Sequence, residues 1–247
     1  MVNEERTAPV PDERVRDNLV RDNLVRVRER IAFEAERCGR DAGGILLVGV
    51  TKTRPASDVL EAVRCGLKAV GENRVQELLE KRREIPGDLP VQWRFIGHLQ
   101  RNKARKAAEA ASTVDSVDSL PLAAALSRIA LEMSGAIPVL LEVNTSGEKS
   151  KSGVHPSGAE ELLEGIRTGC PGLRVEGLMT IGPLSGDERE VRRAFGQLRL
   201  LRDDLAGKTG LPLKELSMGM SGDFQWAIPE GSTMVRIGSA IFGERSK

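Results

Sequence analysis

Short apolar runs alternate with helix-spaced segments along this chain, and that alternation limits the fold more than any other feature. The runs cover residues 45–50, 69–71, 91–97, 113–117, 137–143, 173–179, 216–218 and 234–237. The first and the fifth are almost continuously apolar, the pattern of strands buried on both faces. Strands separated by single helices run parallel and are joined by crossovers. About eight such units in 247 residues match the size of a (β/α)8 TIM-type barrel. An open doubly wound sheet satisfies the same alternation. No Gly-x-Gly-x-x-Gly follows the first run, which weakens a dinucleotide-binding version of that sheet. The expectation is an α/β fold: a single-domain barrel over residues 14–247, with an extra N-terminal helix over residues 14–37. The polar, proline-containing start, residues 1–13, reads as a flexible N-terminal tail.

That extra helix carries a short tandem repeat, Val15-Arg-Asp-Asn-Leu19 followed by Val20-Arg-Asp-Asn-Leu24. The period is too short for a solenoid, and a slipped duplication on a surface helix accounts for it. Its apolar stripe reads as Leu19, Val20, Leu24, Val25, Ile31 and Phe33. Further helices are expected over residues 55–65, 99–111, 121–133, 157–167 and 188–206.

The first strand ends in a lysine. Ile45-Leu-Leu-Val-Gly-Val runs through Thr51 into Lys52, with Pro55 just beyond. In parallel α/β folds, ligands bind at the carboxyl ends of the strands. A lysine there is costly to desolvate, so it either pairs with an anion or serves as an amine nucleophile. A second cluster lies near the C-terminus: Leu216-Ser217-Met-Gly-Met-Ser221-Gly222-Asp223, then Val235-Arg236-Ile-Gly238-Ser239. Each piece leads a strand through glycine and serine into a helix. Glycine admits close backbone approach, serine donates, and helix starts offer N–H groups, so two such turns together make a phosphate cradle. Loops after the seventh and eighth strands are the usual phosphate site of a barrel, and closure sets strand eight beside strand one. An amine next to a phosphate cradle suits a phosphorylated aldehyde, of which pyridoxal 5′-phosphate is the common example. Arg236 would then face the pyridine nitrogen and keep it unprotonated, since adjacent positive charges repel.

A set of motifs carries a family resemblance. Val50-Thr51-Lys52-Thr53, Gly71-Glu72-Asn73-Arg74-Val75-Gln76-Glu77, Phe95-Ile96-Gly97-His98-Leu99-Gln100-Arg101-Asn102-Lys103, Lys151-Ser152-Gly153, Gly177-Leu178-Met179-Thr180, Ser217-Met218-Gly219-Met220-Ser221 and Val235-Arg236-Ile237-Gly238 resemble the YggS/PROSC family of pyridoxal phosphate homeostasis proteins. The blocks run in the family's order from Ile45 to Gly243. The resemblance implies a barrel related to the N-terminal domain of alanine racemase, with a Schiff base on Lys52. It implies phosphate contacts from Ser221, Gly238 and Ser239 and a pyridine-nitrogen contact from Arg236. It also implies pocket positions at Asn73 and Ser217. Thr51 departs from the family's frequent serine, and Gly222 stands where a larger residue is frequent. Residues 1–44 lie outside the matched blocks.

Composition narrows the function. The chain has no tyrosine, so a racemase mechanism with opposed lysine and tyrosine bases has no second base here. His98, Glu72 and Asp223 remain as acid–base candidates, with His98 expected to be a structural histidine. The first reading is a non-enzymatic carrier that holds the cofactor reversibly, takes part in its homeostasis and delivers it to apo-enzymes. The alternative is a pyridoxal-dependent enzyme acting on an amino acid. Lysine plus arginine number 37 and aspartate plus glutamate 36, a balance without general attraction to nucleic acid or anionic membrane. The basic run from Arg101 to Lys106 has helical spacing and no interleaved aromatics, so it reads as a solvated helix face. Two histidines argue against a histidine-rich metal site, and none is expected. Three cysteines, far apart, fit a reduced, cytoplasmic protein rather than a disulfide framework. A monomer is expected. Lys149 and Lys151, in a flexible loop expected over residues 146–154, have two readings, a second and weaker cofactor site or plain solvation, and solvated side chains are the expectation.

Overall fold

The computed structural model describes residues 13–244, with side chains from Leu19 onward. Eight strands close into a barrel in sequence order: β1 (Leu46–Val50), β2 (Ala69–Glu72), β3 (Gln92–Phe95), β4 (Thr113–Val117), β5 (Ile137–Glu142), β6 (Leu173–Met179), β7 (Glu215–Met220) and β8 (Met234–Ile237). Every pair is parallel, including the closing one, where Leu46 to Gly49 of β1 register with Met234 to Ile237 of β8. Closure decides against the open doubly wound sheet. Around the strands lie α1 (Glu13–Arg37), α2 (Ala56–Arg64), α3 (Val75–Glu84), α4 (Ala104–Ala110), α5 (Leu120–Glu132), α6 (Ala159–Gly169), α7 (Glu188–Thr209), α8 (Phe224–Ala227) and α9 (Ser239–Phe242).

The tail expected over residues 1–13 lies outside the described residues, except for Glu13, which begins α1. On α1 the buried side chains are Val20, Leu24, Val27, Ile31 and Ala35. Spacings of four, three, four and four keep them on one helix face. Leu19, Val25 and Phe33, expected in that stripe, are exposed instead. Leu24 is completely buried, a contribution of roughly 1.5–3 kcal/mol, and Asn23 Nδ2 donates to the Ile241 carbonyl at 3.0 Å. The extra helix is therefore packed onto the barrel beside α2 and α9 rather than lying on its surface.

The helix expected over residues 99–111 starts later. Gln100 is extended, one 3-10 turn covers Arg101–Lys103, and α4 begins at Ala104. Where the chain leaves β3 it passes close to the end of β2: a Cβ at Gly97 would sit 2.4 Å from the Asn73 carbonyl oxygen.

The two faces of the strand wall carry different chemistry. Val114, Leu141, Leu178, Leu216, Val235 and Ile237 face the helices and join the main core. Inside, a small apolar cluster of Val48, Ala69 and Met234, with Leu46 against it, fills one level. Strand alternation then places Arg94, Asp115, Glu142, Ser217 and Arg236 in the interior, all buried. A packed barrel interior is usually filled with branched aliphatics, so this charged level is unusual.

Candidate functional site

Lys52 leaves the barrel two residues beyond β1, and three contacts hold the backbone around it. Thr51 N–H donates to the Gly71 carbonyl at 3.1 Å, which extends the β1–β2 ladder. The buried Lys81 ammonium of α3 donates to the Thr51 carbonyl at 2.6 Å and to Glu72 Oε1 at 2.5 Å. Thr51 Oγ1 donates to the same carboxylate oxygen at 2.5 Å. Burial pushes the Glu72 carboxyl above its ordinary range, and the bonds from Lys81 and Thr51 oppose that push. On the other side, Thr53 adopts φ 63° and its N–H donates to Glu77 Oε2 at 2.7 Å. A β-branched residue at positive φ is strained and persists only where surrounding contacts impose it. The lysine is thus presented by a backbone fixed on both sides.

Across the β1–β8 seam a pocket of about 160 Å³ is lined by Lys52, Ser221, Arg236, Gly238 and Ser239, together with Val50, Arg54 and Gly243. Five of the seven residues expected at the site therefore share one cavity wall. Ser221 Oγ accepts from the Gly238 N–H at 3.2 Å and the Ala240 N–H at 3.4 Å, so its hydroxyl faces the two amides that open α9. The β7–α8 turn that carries it depends on Gly219, at φ 97°, where a Cβ would lie 2.7 Å from that of Ala227. Arg54 closes the rim by donating from Nη2 to the Glu244 carbonyl at 2.9 Å.

The other two expected residues lie elsewhere. Ser217 is fully buried behind the pocket, where its Oγ accepts from Arg236 Nη1 at 2.7 Å. Asn73, at the end of β2, is not part of this cavity wall. Its Oδ1 is buried and has no hydrogen-bond partner among the described residues.

Arg236 is the floor. It donates from Nη2 to the Thr180 carbonyl at 2.8 Å, so both terminal nitrogens meet neutral oxygens. Burial lowers its affinity for the proton, while Asp115, Asp223 and Glu142 raise it. A guanidinium remains charged under that balance. Asp115 is already held by Arg94 in a bidentate pair at 2.8 and 2.9 Å. Burial raises the Asp223 carboxyl above its ordinary range, against the Met220 N–H bond and the nearby Arg236. Burial, reinforced by Asp118 and opposed by Arg236, pushes Glu142 up to about 7.

Two other expectations are resolved. His98 is 56% exposed on its side chain, with Nδ1 3.3 Å from Asp118 Oδ2, a rim contact rather than a core one. Lys149 is exposed, as expected. Lys151 is not a solvated side chain. It is 11% exposed and donates to Glu148 Oε1 at 2.7 Å and to the Gly182 carbonyl at 2.6 Å. The loop folds back on Asn144, whose Oδ1 accepts from Gly147 N–H and Ser146 Oγ, and that turn drives Lys151 inward.

Sequence reasoning passed over Thr180, Arg94, Asp115 and Glu142. For Glu142 a signal existed: it is the single charge in the most apolar run of the chain, as Lys52 is in the first run. A larger cavity of about 820 Å³ opens at the opposite, amino-terminal mouth, between α1 and the strand starts, lined in part by Lys68, Arg94, Glu176 and Glu215. It has no counterpart of the amine facing a hydroxyl-and-amide turn. Among the described residues no three histidine, cysteine or acidic side chains are grouped to hold a metal ion, and no helix is long and apolar enough to cross a membrane.

Comparison with known proteins gives consistent matches. The family described as alanine racemase, N-terminal domain, matches residues 24–246. A pyridoxal phosphate homeostasis protein of Aquifex aeolicus is 43% identical over 220 residues, covering 89% of this chain and 96% of that relative. An unknown protein from Bifidobacterium adolescentis superposes with a TM-score of 0.87 at 39% identity, covering 95% of this chain and 98% of the other. PipY of Synechococcus elongatus PCC7942, solved with pyridoxal phosphate bound, gives a TM-score of 0.80 at 33% identity, covering 91% of this chain and all (100%) of that one.

Proposed function

We propose a function from one premise: the chain belongs to the alanine racemase N-terminal domain family and, within it, to the pyridoxal phosphate homeostasis proteins. On this reading it binds pyridoxal 5′-phosphate reversibly and takes part in the homeostasis and delivery of that cofactor. The observation that carries the reading is the shared pocket, with the Lys52 side chain and the Ser221–Gly238–Ser239 turn on one wall system across the β1–β8 seam. The donor set suits the group: an amine for a carbonyl carbon, a hydroxyl and amides for a phosphate, and a guanidinium below them. The cofactor supplies an aldehyde that condenses reversibly with a primary amine.

Each residue then has a task. Lys52 provides the amine of a Schiff base, presented by the fixed Thr51–Thr53 backbone. Ser221, Gly238 and Ser239 hold the phosphate, with Ser221 Oγ turning from its two amides to donate instead. Arg236, permanently protonated, faces the pyridine nitrogen and disfavours a proton there. That keeps the ring a weak electron sink, which suits carriage better than amino-acid chemistry. Ser217 orients Arg236 from behind, and the orphaned Asn73 Oδ1 is available to a polar edge of the ligand.

The absence of tyrosine supports a carrier over a lysine–tyrosine racemase. The reading extends to a cytoplasmic monomer that passes the cofactor to apo-enzymes. All three cysteines are free, which suits a reducing compartment. Adding pyridoxal 5′-phosphate should give a visible absorption band that Lys52→Ala lacks. A band of equal strength in that variant would overturn the site. Exchange of an amino acid's α-hydrogen with solvent at a useful rate would favour the enzyme reading instead.

A further inference from the structure

Glu142 stands out as a buried acid with unmet bonding. It ends β5, is 4% exposed, and its Oε2 has no hydrogen-bond partner among the described residues. Charged groups face this region from four elements. Arg94 of β3 and Asp115 of β4 neutralise each other in their bidentate pair. Asp118, just past β4, adds negative charge beside Glu142. Arg236 of β8 adds positive charge, and Asp223 at the head of α8 acts on Arg236. The Arg236 guanidinium is the element common to Glu142 and the pocket: it lines the cavity that holds Lys52 and is also a charge that acts on Glu142.

We propose that Glu142 is a proton acceptor coupled to the Lys52 pocket, taking up a proton from solvent when a phosphorylated ligand settles in the cavity that Arg236 lines. This rests on the reading of that pocket as a phosphate-ester site. In the chain without ligand, burial and Asp118 favour the neutral acid and outweigh Arg236, which favours the carboxylate; the net effect sets the carboxyl at about 7. A phosphate dianion held at Ser221, Gly238 and Ser239 in the same cavity offsets part of the field of Arg236. Burial and the neighbouring carboxylate then weigh more heavily, and the carboxylate takes up a proton to become a carboxylic acid. Proton uptake on binding means affinity rises as pH falls, by up to about tenfold per pH unit at full uptake. The group thereby gives the carrier a pH-dependent grip without touching the amine.

Isothermal titration of the full chain tests this at pH near 7.5, in buffers of different ionisation enthalpy. Two ligands are used: pyridoxal 5′-phosphate, and pyridoxine 5′-phosphate, which has an alcohol in place of the aldehyde and so reports charge without condensation. Wild type should take up a fraction of a proton with both. Glu142→Gln should bind and lose about half or more of that uptake. His98→Gln, which alters the exposed partner of Asp118, should keep most of it. Unchanged uptake in Glu142→Gln, or uptake removed by His98→Gln alone, overturns the proposal. Should Glu142→Gln not fold, infrared difference spectra of wild type decide: a protonated-carboxyl stretch that grows on adding pyridoxine 5′-phosphate supports it, and no change overturns it. Binding without proton uptake refutes the proposal and leaves the pocket's reading intact. No binding of either ligand refutes both.

Discussion

The two faces of the strand wall make the instructive comparison. The outer face is an apolar layer against the helices, and the inner face carries the buried charges Arg94, Asp115, Glu142 and Arg236 alongside a small aliphatic cluster. The outer face is specified by area and volume, so its members are interchangeable within limits. The inner face is specified by polar partners: Arg94 pairs with Asp115, and Arg236 donates to Ser217 and the Thr180 carbonyl. The outer face should answer substitution through lost volume alone, and the inner face through unpaired charge and altered ligand binding.

The largest effect is expected where the inner pairing is broken. Asp115→Ala leaves Arg94 buried without its partner, at a cost of about 3–5 kcal/mol in denaturant unfolding. The double change Arg94→Met with Asp115→Leu should recover most of that loss. A double variant as unstable as the single one would show that the pair is not the cause.

Glu142→Gln should act in the opposite direction, and in a pH-dependent way. An ordinary glutamate titrates near 4.5 and Glu142 near 7. Between those values the folded chain keeps a proton that the unfolded chain has released. Stability therefore falls as pH rises through this window, and the loss is complete above it. The glutamine variant escapes that loss, gaining about 3 kcal/mol over wild type near pH 8 and almost nothing near pH 4. A gain of equal size at both pH values would contradict the assignment.

Lys151→Ala removes a partly buried ammonium that ties the loop after β5 to Gly182, and about 1.5–3 kcal/mol should go with it. The exposed Lys149→Ala should stay within about 0.5 kcal/mol, and thermal melts compare the two directly. On the outer face, Ile237→Val trims one methylene from a fully buried side chain and should cost about 0.5–1.5 kcal/mol. Its pyridoxal 5′-phosphate affinity should not change, although Arg236 is its immediate neighbour in sequence. A loss of affinity there would blur the division between the faces.

The same division explains what was legible in the sequence. Strands β1 and β5 could be read because apolar residues occupy both faces without a break. Lys52 and the Ser221 and Gly238 turns could be read because each interrupts such a run at its carboxyl end. Of the stripe expected on α1, Val20, Leu24 and Ile31 are buried and Leu19, Val25 and Phe33 are exposed; the helix has more apolar residues than one stripe holds, and packing on α2 and α9 makes the selection. The 3-10 turn ahead of α4 has no local signal, because the basic, alanine-rich spacing continues through it. Lys151 looked like any loop lysine, since its burial is set by the turn around Asn144. Glu142 and Asp115 are inner-face residues whose meaning comes from Arg236 and Arg94, which closure alone brings near.

The account stands on Lys52 as the amine that meets the cofactor. Borohydride reduction of the wild-type chain loaded with pyridoxal 5′-phosphate, followed by peptide mapping, tests this most directly. One stoichiometric label on the peptide containing Lys52 is the expected result. A label confined to any other lysine, Lys151 included, would contradict it.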